Sequence, residues 1–124
     1  MDPKLQTRSY SRTAHYEPVV KRSNYHLLTG YHANTIMFST NLTAEGIQIQ
    51  PRFFNGSVAQ VSTVLARNEV ILAAGSIGTP LILQRSGIGP AKVLKQAGIN
   101  VKLDLPGVGQ NLQDHSCLVV GYNC

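Results

Sequence analysis

The spacing of apolar residues changes several times along this chain, and each change marks a different kind of element. Residues 1–8 are polar and predicted to fray. Between Ser9 and Val20, Ala14, Tyr16 and Val19 would lie on one side of a short helix. Ser9 or Ser11 would cap its start, and Pro18 limits it. From Asn24 the texture becomes strand-like. Tyr25–Thr29 and Ala33–Ser39 read as strands separated at Gly30. Glu45–Gln50 alternates apolar and polar positions, the period of a half-exposed strand. Residues 51–57 form a turn region with Asn55-Gly56 as a hairpin signal, and Val58–Leu65 is the next strand. Residues 34–66 are therefore predicted to form a small antiparallel meander.

Val70–Ala74 breaks that pattern. It is apolar without interruption, as in a parallel strand covered on both faces. A glycine turn follows, then a helix with Thr79 as cap and Pro80 at its first position, where no N–H is needed. Gly87 ends that helix and begins a second glycine turn through Gly89. Pro90 opens a further helix, Ala91–Gln96, which Gly98 closes. Val101–Leu103 reads as a short strand and residues 105–115 as a loop, and Cys117–Tyr122 starts one more strand. The sequence has no internal repeat and no low-complexity tract.

Size and composition narrow the class. A chain of 124 residues has the size of one small domain. Its 43% hydrophobic content is ordinary for a globular protein, which sets aside disordered and fibrous classes. The net charge is +5, with Lys4, Arg8, Arg12, Lys21 and Arg22 early in the chain. These cations are scattered, without aromatic interleaving, so a solvated surface is favoured over nucleic-acid binding. No stretch is apolar enough for a signal peptide or a membrane span, so no membrane association is predicted and the localisation is left open. The two cysteines, Cys117 and Cys124, show no metal or redox spacing and are not predicted to pair. Asn41-Leu42-Thr43 and Asn55-Gly56-Ser57 are acceptor sequons, relevant only on a secretory route.

Several motifs favour structure over chemistry. Gly87-x-Gly89 and Gly107-x-Gly109 lack the third glycine of a dinucleotide fingerprint, which falls on Lys92 and Leu112. Both read as turns. Asp114 and His115 are neighbours on an extended chain and would point apart, so adjacency makes no acid–base dyad. His15, His26 and His32 have no ligand spacing with Cys or Asp and no metal site is predicted. Ser76 sits in Gly75-Ser76-Ile77-Gly78 and not in a nucleophile elbow.

The run from Gly75 to Gly89 resembles the second signature of the glucose–methanol–choline (GMC) oxidoreductases, flavin enzymes that oxidise alcohols. Gly75-Ser76, Thr79-Pro80, Ile82-Leu83 and Ser86-Gly87-Ile88-Gly89 fit every defined position of the pattern. Glu69-Val70-Ile71-Leu72 before it and the block from Leu105 to His115 after it are also similar to the family. So are Ser9-x-Ser11-x-x-Ala14-x-Tyr16 and Arg22-Ser23-Asn24-Tyr25 upstream, and the order of blocks is kept.

The resemblance implies an α/β fold (taken alone, an α+β fragment). It would be a partial FAD-binding, Rossmann-like domain with a small antiparallel β-meander and two short helices. Residues 1–23 would be an N-terminal segment, 24–115 the partial FAD domain, and 116–124 the start of the next strand. FAD is the implied cofactor. Its adenine would meet backbone groups of Ala33, where the family usually has Val, and the strand end at Ala73, Ala74 and Gly75 would lie beside the cofactor. The implied reaction takes an alcohol to an aldehyde or ketone, with hydride passing to flavin N5. The family's Gly-x-Gly-x-x-Gly turn, its acidic ribose ligand and its late catalytic histidine segment match nothing in these residues, so no catalytic residue is assigned. The chain alone is expected to be inactive and to bind FAD weakly at best. The alternative is a non-catalytic remnant that pairs with a full-length relative through an unfinished sheet edge.

Overall fold

The computed structural model describes residues 8–52, 60–117 and 121. The chain divides into two units, Met1–Gly30 and Tyr31–Cys124. In the first, the expected helix reduces to one wide π-helical turn, Arg12–Tyr16, closed by Glu17 N–H donating to Arg12 O at 2.9 Å. Tyr16 and Val19 are half-buried as expected, whereas Ala14 is exposed. The Tyr16 and Tyr25 rings pack with centroids 6.0 Å apart. Tyr25–Thr29 is not a strand: it forms no ladder among the described residues, and Leu27 and Leu28 are exposed. An apolar run becomes a strand only beside a neighbour that accepts its hydrogen bonds.

The second unit begins with the meander. Strands β1 (Tyr31–Phe38), β2 (Ala44–Pro51) and β3 (Ser62–Leu65) pair antiparallel in that order. The turn between β1 and β2 is held by Ser39, whose Oγ accepts from Asn41 and Thr43 N–H groups. The β1–β2 register steps from Ala33↔Ile49 to Thr35↔Gln48, so Asn34 is the extra residue of a bulge. Gly46 is where β2 needs a missing side chain, because a Cβ there would lie 2.4 Å from Val64 O on β3. The Asn55-Gly56 hairpin signal and the start of the third predicted strand at Val58 lie outside the described residues.

Val70–Ala74 differs most from expectation. It forms no ladder among the described residues, and Ile71 is 77% exposed. A parallel strand is stable only when neighbours flank it and layers cover it, and the described residues provide neither here. The next helix, α1, runs Gly75–Arg85 and so starts before Thr79. Pro80 lies inside it, where its missing N–H leaves the Ser76 carbonyl without the usual partner. Thr79 is not the cap: the N-cap is Ala74, which has no side-chain cap hydrogen bond, and the Thr79 Oγ1 inside the helix accepts the Ala74 N–H at 3.0 Å.

Gly87 ends α1 with φ +90°, and its predicted glycine turn contains a short strand instead, β4 (Ile88–Gly89). Helix α2 (Ala91–Gln96) then leads to β5, which is Leu103–Asp104 and not Val101–Leu103, parallel to β4. Gly98 N–H donates to Lys95 O and Ile99 N–H to Leu94 O, the paired bonds of a Schellman ending. Asp104 Oδ1 accepts the Ala91 N–H at 2.9 Å, placing a carboxylate at the positive end of α2. The strand expected at residues 117–122 is absent at Cys117, which is exposed. Residues 118–120, Tyr122 and Cys124 lie outside the described residues.

The core takes one apolar side chain from each of four elements, Ile36 of β1, Ile82 of α1, Ile88 of β4 and Leu94 of α2, together with Val108 from a later turn. Leu94 is wholly buried. Ser86 is the buried polar side chain among them.

Candidate cofactor-binding site

Among the described residues β1 is an edge strand, with β2 on one side. Its other edge faces α1, and Ser86 links the two: Ser86 Oγ accepts the Ile36 N–H at 2.7 Å and donates to Ile82 O at 2.6 Å. Between the two elements lies a cavity of about 500 Å³. Ala33, Asn34 and Gln50 line it from the sheet, and Ala74, Gly78 and Arg85 from the helix side. Tyr31 and His32 stand at its end.

Two of the three sequence-predicted site residues, Ala33 and Ala74, thus lie on one cavity although they come from different elements. Gly75 follows directly, as the first residue of α1. Its glycine is set by conformation and not by crowding: φ is +82°, and a Cβ there would meet nothing within 4 Å. Gly78 is the crowded position, where a Cβ would come 3.0 Å from the Ala74 Cβ. The helix wall is therefore thin, which suits close approach by a flat ring. The residues fit a nucleobase: small groups for its faces and, in Asn34 and Gln50, carboxamides for its polar edge. Arg85 adds a positive charge to the wall, and among the described residues no carboxylate lines the cavity.

A second cavity, of about 830 Å³, runs along another face of α1. Ser76, Pro80 and Gln84 line one side, and Val108, Asn111 and Leu112 the other. Gln84 Nε2 donates to Val108 O at 3.3 Å and holds the loop to the helix. Leu81 borders both cavities. The loop is the block that begins at Leu105, and Gly107-x-Gly109 lies in a turn there, with Val108 N–H donating to Leu105 O.

The remaining polar candidates stay apart. Asp114 Oδ1 accepts the His115 backbone N–H at 2.7 Å, and both residues are exposed. His15 and His26 are exposed on the first unit, and His32 is the histidine beside the Ala33 cavity. Sequence reasoning missed the Asn34–Gln50 pair, in which Asn34 Nδ2 donates to Gln50 Oε1 at 2.8 Å. The readable signal was Gln48 and Gln50 on the alternating strand. The bulge at Asn34, whose side chain reaches Gln50, has no such signal.

A family model described as GMC oxidoreductase matches residues 1–117. Over 111 residues the chain is 45% identical to the GMC oxidoreductase family protein Mala s 12 of Malassezia sympodialis, covering 87% of this chain and 17% of that protein. It is 42% identical over 109 residues to a choline oxidase of Arthrobacter globiformis, covering 88% and 19%. Among solved structures, an FAD-dependent oxidoreductase from Chaetomium thermophilum matches with a TM-score of 0.78 at 47% identity, over 87% of this chain and 18% of that one. A fungal aryl-alcohol oxidase matches with a TM-score of 0.72 at 38% identity, over 82% and 16%. The chain spans 16–19% of the length of these four proteins.

Proposed function

The chain belongs to the GMC oxidoreductase family, and from that premise we propose that it serves in the FAD-binding domain of an enzyme oxidising alcohols to aldehydes or ketones. Its fold is a partial Rossmann-like FAD-binding domain, with a small antiparallel meander and two short helices. One observation carries the reading: Ala33 and Ala74 line the same cavity, beside the helix that opens at Gly75.

In this reading the backbone of Ala33 meets the adenine, and Ala74 and Gly75 leave room for the cofactor at the helix start. Gly78 keeps the wall thin, and Ser86 fixes the distance between strand and helix. When bound, the flavin supplies the hydride acceptor, at N5. The protein's part here is to bind and orient. No residue of this chain is assigned to proton abstraction, and small alcohols are the proposed substrates, choline oxidase and aryl-alcohol oxidase being among the similar proteins.

A chimaera tests this. Residues 1–117 replace the matching stretch of the Arthrobacter choline oxidase, and flavin content and choline oxidation are measured. Stoichiometric flavin with retained oxidation is expected. A folded chimaera that purifies without flavin contradicts the proposal.

A further inference from the structure

We infer that the Asn34–Gln50 carboxamide pair reads the polar edge of an adenine ring in the cavity shared by Ala33 and Ala74. The inference rests on the nucleotide reading proposed above and assigns to these two side chains the choice of base.

Three observations converge. Asn34 is the extra residue of the β1 bulge, and bulges re-aim a side chain that regular alternation would place elsewhere. Its Nδ2 donates to Gln50 Oε1 at 2.8 Å, which holds both side chains in one orientation. Both then border the cavity.

That internal bond uses one donor and one acceptor. Asn34 Oδ1, the second Asn34 Nδ2 hydrogen and both Gln50 Nε2 hydrogens have no other hydrogen-bond partner among the described residues. The pair therefore offers a ligand a free acceptor beside free N–H donors. Turning both amides over exchanges the two roles and leaves the offer unchanged. Adenine presents the complement: its 6-amino group donates and the adjacent ring nitrogen accepts, the pattern that carboxamides read in nucleic acids. Small residues at Ala33, Ala74 and Gly78 leave space for the ring faces. A diphosphate fits the same walls poorly, because among the described residues Arg85 is the single Lys or Arg on them.

The test is a titration of the full 124-residue chain, followed by NMR, with adenosine monophosphate and with purine riboside monophosphate, which lacks the 6-amino group. About tenfold weaker binding of the purine analogue is expected, the scale of a lost specific base contact. Asn34→Ala and Gln50→Ala should each weaken the adenosine nucleotide and abolish the preference. Equal affinity of the wild-type chain for the two ligands overturns the inference while leaving a nucleotide site in place. Binding of neither ligand at millimolar concentration overturns the nucleotide reading as well. The ligand comparison uses the wild-type chain and so does not depend on the variants folding.

Discussion

Ser86 Oγ lies 2.7 Å from the backbone nitrogen of Ile36, a buried hydrogen bond spanning fifty positions of sequence. The same hydroxyl donates to Ile82 O at 2.6 Å. One small side chain therefore fixes the end of α1 against the middle of an edge strand. The cavity bordered by Ala33 and Ala74 lies between those two elements, so its width depends on this contact.

Removing the hydroxyl strands a buried N–H that water cannot reach. Ser86→Ala is expected to destabilise the fold by about 1–3 kcal/mol. Urea denaturation measures it. A loss under about 0.5 kcal/mol, the range of ordinary surface substitutions, would show that the contact is not structural.

Gly87 faces two constraints at once. Its φ is +90°, and a Cβ would sit 2.6 Å from Asn100 O. Gly87→Ala should therefore cost upwards of about 2 kcal/mol, from left-handed strain and from a backbone that must move. Gly107→Ala is the control, since a Cβ there meets nothing within 4 Å and its φ is not in the left-handed region. Its effect should fall within about 0.5 kcal/mol. Thermal melts of the two variants make the comparison.

Leu94 is fully buried on a helix of six residues. So short a helix owes its stability to packing and caps more than to propensity. Leu94→Ala should cost about 2–5 kcal/mol and release α2. Hydrogen exchange at Ile99, whose N–H bonds Leu94 O, reports that release directly.

Tight flavin binding by the isolated chain is not expected. Its 124 residues hold no Gly-x-Gly-x-x-Gly turn, the element that cradles a pyrophosphate at a helix N-terminus. Titration with FAD should give no stoichiometric yellow complex, and alcohols should not be turned over. A stoichiometric complex would show that these residues suffice.

Local chemistry was legible where it is decided locally. The alternation in Glu45–Gln50, the break at Gly30 and the Pro90-to-Gly98 frame of α2 all depend on neighbours in sequence, and each element formed. Tyr25–Thr29 and Val70–Ala74 failed because a strand is a relation between two segments, and an apolar run names only one of them. Thr79-Pro80 misplaced the start of α1 for a related reason. The pair carries a helix-opening signal, but Gly75 at φ +82° turns the chain earlier and the Thr79 hydroxyl reaches back to Ala74. At the candidate site, Ala33 and Ala74 are proposed from the motif order, whereas Asn34 with Gln50 depends on a bulge and Ser86 with Ile36 on a long-range contact. Asp104 capping α2 from the following strand is likewise set by tertiary geometry.

The most direct measurement is amide chemical-shift mapping of the isotopically labelled chain during titration with adenosine diphosphate. A nucleotide seated between β1 and the start of α1 should shift Ala33, Asn34, Ala74 and Gly75 together while leaving Gly98 and Gly107 unmoved. Absent shifts at those four positions, or changes confined to other parts of the chain, would contradict a cofactor site there.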